Sequence, residues 1–151
     1  MAESANRAIR RKLANLVYVQ AAVERLPAAL SGQADRITVN FPWGSLLRAL
    51  AVPEVPMLAA IAALGRAGAA VTLLVNMSTF DDAGYCAKLG LPCPPVFADE
   101  QRTRSAYEHA GLRVLKVKGD AQELPHRTTW GQRLTKGTQR RVLWLEAAVR
   151  A

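Results

Sequence analysis

The 151-residue sequence predicts an α/β domain, and three observations predict it. Apolar, β-branched runs recur along the chain, segments with helical spacing lie between them, and 50% of the residues are hydrophobic, enough to fill one core. Runs of this near-continuous apolar character are the pattern of strands in a sheet with both faces covered.

Five runs read as strands: Asn15–Ala22 (NLVYVQAA), Arg36–Phe41 (RITVNF), Ala70–Met77 (AVTLLVNM), Leu112–Lys118 (LRVLKVK) and Arg141–Val149 (RVLWLEAAV). Between the second and third, Ser45–Leu50 and Pro56–Arg66 carry apolar residues at helical spacing, with Pro56 tolerable only near a helix start and Gly68 as the stop. Asp81 or Asp82 is placed to cap a short helix ending at Gly90, and Asp99 to cap one running through Tyr107 to Gly111. The last two strands are joined by a basic segment with little helical periodicity, which predicts an antiparallel return. No repeat, low-complexity tract or linker divides residues 1–151, which therefore read as a single domain; Leu91–Pro95 (LPCPP) is a stiff connector.

Charge is unevenly distributed. Twenty basic residues, fifteen of them arginine, against twelve acidic ones give a net charge of +8. The first fifty residues and the last fifty-one carry the excess, while the middle of the chain is acidic. From His126 to Arg141 there are five basic residues (Arg127, Arg133, Lys136, Arg140, Arg141) and no acid, the pattern either of a loop that contacts phosphates or of a solvated surface. An anionic partner is the first expectation from the arginine content, because guanidinium groups suit phosphate forks and base stacking.

No apolar run approaches the roughly 20 residues that cross a bilayer, and no signal-peptide core follows the N-terminal bases, so a cytoplasmic location is expected with no membrane partner. Cys86 and Cys93 have no neighbouring histidines to complete a zinc site and read as free thiols, with no metal.

Three stretches carry candidate chemistry. Asn40-Phe41-Pro42-Trp43-Gly44 falls where a strand ends and a helix begins, the place where α/β sheets bind ligands. A rigid proline between two aromatics there either presents a flat platform to a flat ligand or plugs the top of the core. Trp130 lies inside the acid-free segment HRTTWGQRLTKGTQRR, and an aromatic among arginines has the appearance of a base-stacking residue beside a held backbone. Trp144, within the apolar run Val142–Val149, reads as packing. Gln20–Pro27 offers small residues for close approach of a planar group and Glu24 for a hydrogen bond, or else is a charged surface turn.

Taken together, LVYVQAAVERLP (Leu16–Pro27), ADRITVNFPWGSLLRAL (Ala34–Leu50), KLGLP (Lys88–Pro92), HAGLRV (His109–Val114) and TTWGQRLTKGTQRR (Thr128–Arg141) resemble the 16S ribosomal RNA methyltransferases that act on N1 of adenine 1408 and confer aminoglycoside resistance. The order and spacing match along almost the whole chain, and FPWGSLLRA with a downstream W-x-x-R-L is a specific combination. The resemblance implies a class I S-adenosylmethionine-dependent methyltransferase (Rossmann-like) sheet, incomplete at the N-terminus, with an antiparallel C-terminal hairpin. It implies S-adenosylmethionine as cofactor, with Ala22 and Glu24 near its adenine and Phe41 and Ser45 near its methyl-bearing end. It implies as partner the 16S rRNA of the small ribosomal subunit, its flipped adenine sandwiched by Trp43 and Trp130 beside Phe41 and Pro42. Thr128, Arg133, Lys136, Arg140 and Arg141 would hold the RNA, and Arg7, Arg10 and Arg11 match loosely a basic linker that docks on the ribosome.

One part of the family pattern is missing. The ten glycines include no G-x-G for the cofactor's methionine end, and Glu3 is the only acid before Glu24. The strands that normally carry these features belong between Leu16–Ala22 and Arg36–Phe41 in the sheet, so both runs are expected to have unpaired edges. An enzyme lacking that segment and a non-catalytic RNA-binding remnant both fit the residues present.

Overall fold

A computed structural model of the chain describes residues 6, 10–91, 100–119, 121 and 141–151. Two short 3₁₀ turns, Val23–Arg25 and Ala28–Leu30, lead into strand β1 (Ala34–Asn40), followed by helices α1 (Gly44–Ala51) and α2 (Val55–Ala62) and by strand β2 (Gly65–Asn76). A 3₁₀ turn (Met77–Asp81), helix α3 (Ala83–Leu89), helix α4 (Glu100–His109) and strands β3 (Leu112–Lys118) and β4 (Val142–Val149) complete the order. The sheet runs β1-β2-β4-β3, with β1 parallel to β2 and β4 antiparallel to both of its neighbours. The expected antiparallel return is therefore present.

Four of the five expected strands form. Asn15–Ala22 does not: it has no regular structure, and Leu16, Val17, Tyr18 and Val19 are 43%, 82%, 41% and 45% exposed. A strand is stable only when its backbone groups are paired, and this run makes no ladder with β1 or any other described strand. β1 is accordingly an edge strand, as the missing pairing partners lead one to expect.

Among the described residues the helices pack on one face of the sheet. Val71, Leu73 and Val75 of β2 and Leu143, Leu145 and Ala147 of β4 share one buried cluster with Leu47 and Leu50 of α1, Leu58 and Ile61 of α2 and Tyr107 of α4. The alternate residues make a second, small cluster of Phe41, Leu74, Val142 and Trp144 that contains no helix residue. Among the described residues, Arg36, Thr38, Arg113, Lys116 and Lys118 on that face are exposed. The outer strands alternate in and out.

Helix α2 ends at Ala62, short of the expected Arg66. Its last carbonyls are taken up where the chain turns: Ala63 N–H donates to Ala59 O, Gly32 N–H to Ala63 O and Ala34 N–H to Leu64 O. Gly65 and Gly68 lie within β2, where the register jumps from Ala34↔Gly65 to Arg36↔Ala70, so that Gly68 sits in a bulge at φ 80°. A Cβ on Gly65 would come within 2.8 Å of Ala69 Cβ and Val149 Cγ2. Helix α3 follows expectation, with Asp82 Oδ1 accepting from Tyr85 N–H at 2.9 Å and Gly90 closing it in the left-handed region.

Among the described residues no single helix is long and apolar enough to cross a membrane; α1 and α2 pass that test only as a pair, and they meet at 103°.

Candidate functional site

The carboxyl ends of β1 and β2 and the start of β4 meet at one end of the sheet. Phe41 N–H donates to Leu74 O at 2.7 Å, and Met77 N–H donates to Arg141 O at 2.8 Å. Both Phe41 (φ 51°) and Gly44 (φ 61°) take the left-handed region, so the chain reverses sharply around Pro42 and Trp43. For a phenylalanine this backbone costs about 1 kcal/mol, and it is held because the ring is locked beneath the turn.

The two aromatics of this turn do different things. Phe41 is 3% exposed and packs with Leu74 and Val142. Trp43 is 52% exposed, with extended backbone just before α1, and offers its indole at the rim. Pro42 is half-buried between them and Ser45 is exposed in the first turn of α1. Around Trp43 stands Tyr85 of α3, with ring centroids 5.7 Å apart at 72° and the Tyr85 hydroxyl accepting from Gly44 N–H at 3.4 Å.

Thr128, Trp130, Arg133, Lys136 and Arg140, and at the other end Arg7, lie outside the described residues. The residues that bracket the 122–140 stretch are described, and they root it at this same end of the sheet. Lys118 pairs with Trp144, and Ala121 N–H donates to Val142 O at 2.9 Å. Arg141 is exposed but already engaged, its Nη2 2.5 Å from Asp81 Oδ1.

Ala22 is not at the top of a strand as expected; it and Glu24 are exposed at the Val23–Arg25 turn, whose Val23 packs against the core. Arg10 and Arg11 are exposed. Trp144 is packed, as expected, with Lys116 Nζ 4.8 Å from its ring centroid. Sequence reasoning missed Tyr85, which carries no motif of its own, and the ion-pairing role of Asp81, which read only as a possible cap. Cys86 is buried, its thiol donating to Phe80 O at 3.7 Å. Among the described residues no group of three His, Cys, Asp or Glu is placed to hold a metal.

Comparison with known proteins gives this arrangement its family. The family model NpmA, 16S rRNA (adenine(1408)-N(1))-methyltransferase, matches residues 1–149. The Escherichia coli 16S rRNA (adenine(1408)-N(1))-methyltransferase is 32% identical over 132 residues, a match covering 85% of this chain and 60% of that protein. The chain thus spans about 60% of the length of this curated relative. The solved 16S rRNA (adenine(1408)-N(1))-methyltransferase from Catenulisporales acidiphilia superposes with a TM-score of 0.81 at 30% identity, covering 100% of this chain and 72% of that one. A variant of that enzyme solved with cosubstrate SAM gives a TM-score of 0.71 at 28% identity, covering 91% and 63%. The aminoglycoside resistance methyltransferase NpmB1 gives 0.70 at 36% identity, covering 87% and 59%. With the family model matched over residues 1–149 and a solved member superposing over the whole chain, the chain belongs to the 16S rRNA (adenine(1408)-N(1))-methyltransferase family and has its class I methyltransferase fold.

Proposed function

We propose that the chain serves S-adenosylmethionine-dependent methylation of N1 of adenine 1408 in 16S rRNA, and so aminoglycoside resistance. One observation carries the reading: Trp43 stands exposed on a rigid turn at the carboxyl end of the sheet, beside the root of the basic segment that holds Trp130.

Adenine N1 has an in-plane lone pair and no proton to lose, so the chain's residues need to position the base and not to deprotonate it. Extruding the base from RNA costs a few kcal/mol of stacking, which an indole face restores at about 1–3 kcal/mol per base. The same face favours the positive charge that builds on the ring as the methyl arrives, by on the order of 1 kcal/mol. The arginine-rich ends of the chain supply counter-charge for the phosphates.

When bound, S-adenosylmethionine supplies an electrophilic sulfonium methyl. The residues present fit one part of it. The Phe41 ring with Leu74 and Val142 gives a firm floor, Ser45 is exposed at the rim, and a Cβ on Gly44 would meet nothing within 4 Å, which leaves room there. Ala22 and Glu24 are open to solvent for the adenine end. The glycine-rich loop for the methionine end is not among the 151 residues.

A second reading is an RNA- or ribosome-binding module without catalysis, carried by the two tryptophans and the basic segment. Either reading places the chain with ribosomes in the cytoplasm. The deciding experiment is transfer of labelled methyl from S-adenosylmethionine to purified small ribosomal subunits, by the chain alone and with a family N-terminal segment added in trans. Transfer under either condition supports the enzyme; transfer only on complementation assigns the missing work to that segment. No transfer with retained, Trp43-dependent subunit binding selects the second reading.

A further inference from the structure

A base platform works only if its ring is fixed before the base arrives. Immobilising a free side chain at the moment of binding costs roughly two- to tenfold in affinity. Trp43 is half exposed on a turn, and among the described residues the ring that meets it is Tyr85's.

Tyr85 is itself well anchored. It is half-buried in the first turn of α3, its backbone N–H is held by the Asp82 carboxylate at 2.9 Å, and its side chain packs against the main core. From that base it makes two contacts with the turn. Its hydroxyl accepts from Gly44 N–H, one of the donors that the start of α1 leaves without a helical partner. Its ring meets the indole nearly perpendicularly, an arrangement that occupies at most one indole face.

We propose that Tyr85 is the positioning residue of the site, fixing the indole of Trp43 and the turn that carries it so that the adenine meets a preset face. The proposal rests on the reading of Trp43 as the adenine platform. It assigns Tyr85 no contact with the base or the methyl donor.

The test is the mobility of the Trp43 indole in the full chain, followed by ¹⁵N NMR of its Nε1–H, whose resonance is the one lost in Trp43→Phe. In Tyr85→Ala the order parameter of that group is expected to fall from the rigid range, about 0.85, to below about 0.6. The Trp144 indole should stay unchanged, and Tyr85→Phe, which keeps the ring edge, should retain most of the order. Where methyl transfer is measurable, Tyr85→Ala should lower it roughly two- to tenfold while Tyr85→Phe recovers most of the loss. An equally ordered Trp43 in Tyr85→Ala, or equal loosening of Trp144, overturns the proposal. Failure of the platform reading looks different: Trp43→Ala then leaves RNA binding unchanged, while the dependence of Trp43 order on Tyr85 is still read directly.

Discussion

Arg141 and Asp81 meet at 2.5 Å, and the contact ties the residue just before β4 to the turn just after β2. The same turn runs into α3, which carries Tyr85 against Trp43. Thirteen residues, Met77 to Leu89, thus touch both the FPWG turn and the root of the basic segment. Both partners of the ion pair are about half exposed, so solvent screens it and its worth to stability is at most about 1 kcal/mol. Asp81→Asn should therefore move thermal unfolding by only a few degrees. By releasing the guanidinium and removing a negative charge it should tighten binding to a decoding-site RNA at low salt, an effect that fades at high salt. Titrations at two salt concentrations check both statements; weaker RNA binding at low salt would count against the role of Arg141 near phosphate.

The neighbours Phe41 and Trp43 should separate stability from function. Truncating a buried phenylalanine costs about 3–5 kcal/mol, so Phe41→Ala should unfold much of the protein, as read by circular dichroism and denaturant titration. Trp43→Ala removes a ring that is half in water and should change stability by less than about 1 kcal/mol. It should nevertheless lower affinity for an RNA with an extruded adenine, or methyl transfer, on the order of tenfold to hundredfold through lost stacking.

Tyr107 is fully buried and its hydroxyl has no hydrogen-bond partner among the described residues. Burial pushes the phenol pKa above its ordinary 10.0, because the anion cannot be solvated there. The neutral form is favoured by folding, so its contribution to stability is full below about pH 10 and is lost as pH rises beyond that value. Tyr107→Phe should be neutral or raise stability by about 1 kcal/mol, since it removes an unpaired polar atom. It should also flatten the alkaline limb of the stability curve. Unfolding midpoints of the two proteins between pH 8 and about pH 11 make the comparison.

Val17 was expected inside a strand and is 82% exposed. Val17→Lys should leave the stability of this chain within about 0.5 kcal/mol, as surface changes do, and should improve solubility. With the N-terminal segment of a relative supplied in trans, the same substitution should impair complementation if that segment pairs with Leu16–Ala22. The paired measurements separate an exposed run from one waiting for a neighbour.

The sequence by itself determined the family and most of the elements. β-branched runs at 36–41, 70–77, 112–118 and 141–149 became strands, and the Asp82 cap with Gly90 bounded α3, because alternation and capping are local properties of the chain. The FPWG turn was legible as a site because strand ends are where α/β sheets bind ligands. Tertiary structure decided what local pattern cannot. Asn15–Ala22 has the composition of a strand, but a strand exists only with a partner to accept its hydrogen bonds, and β1 does not pair with it. The positive φ angles of Phe41 and Gly44 sent one ring of this turn into the floor and left the other at the rim. Tyr85 and Asp81 acquired their roles only when folding brought residues 41 and 60 positions away in the chain against them.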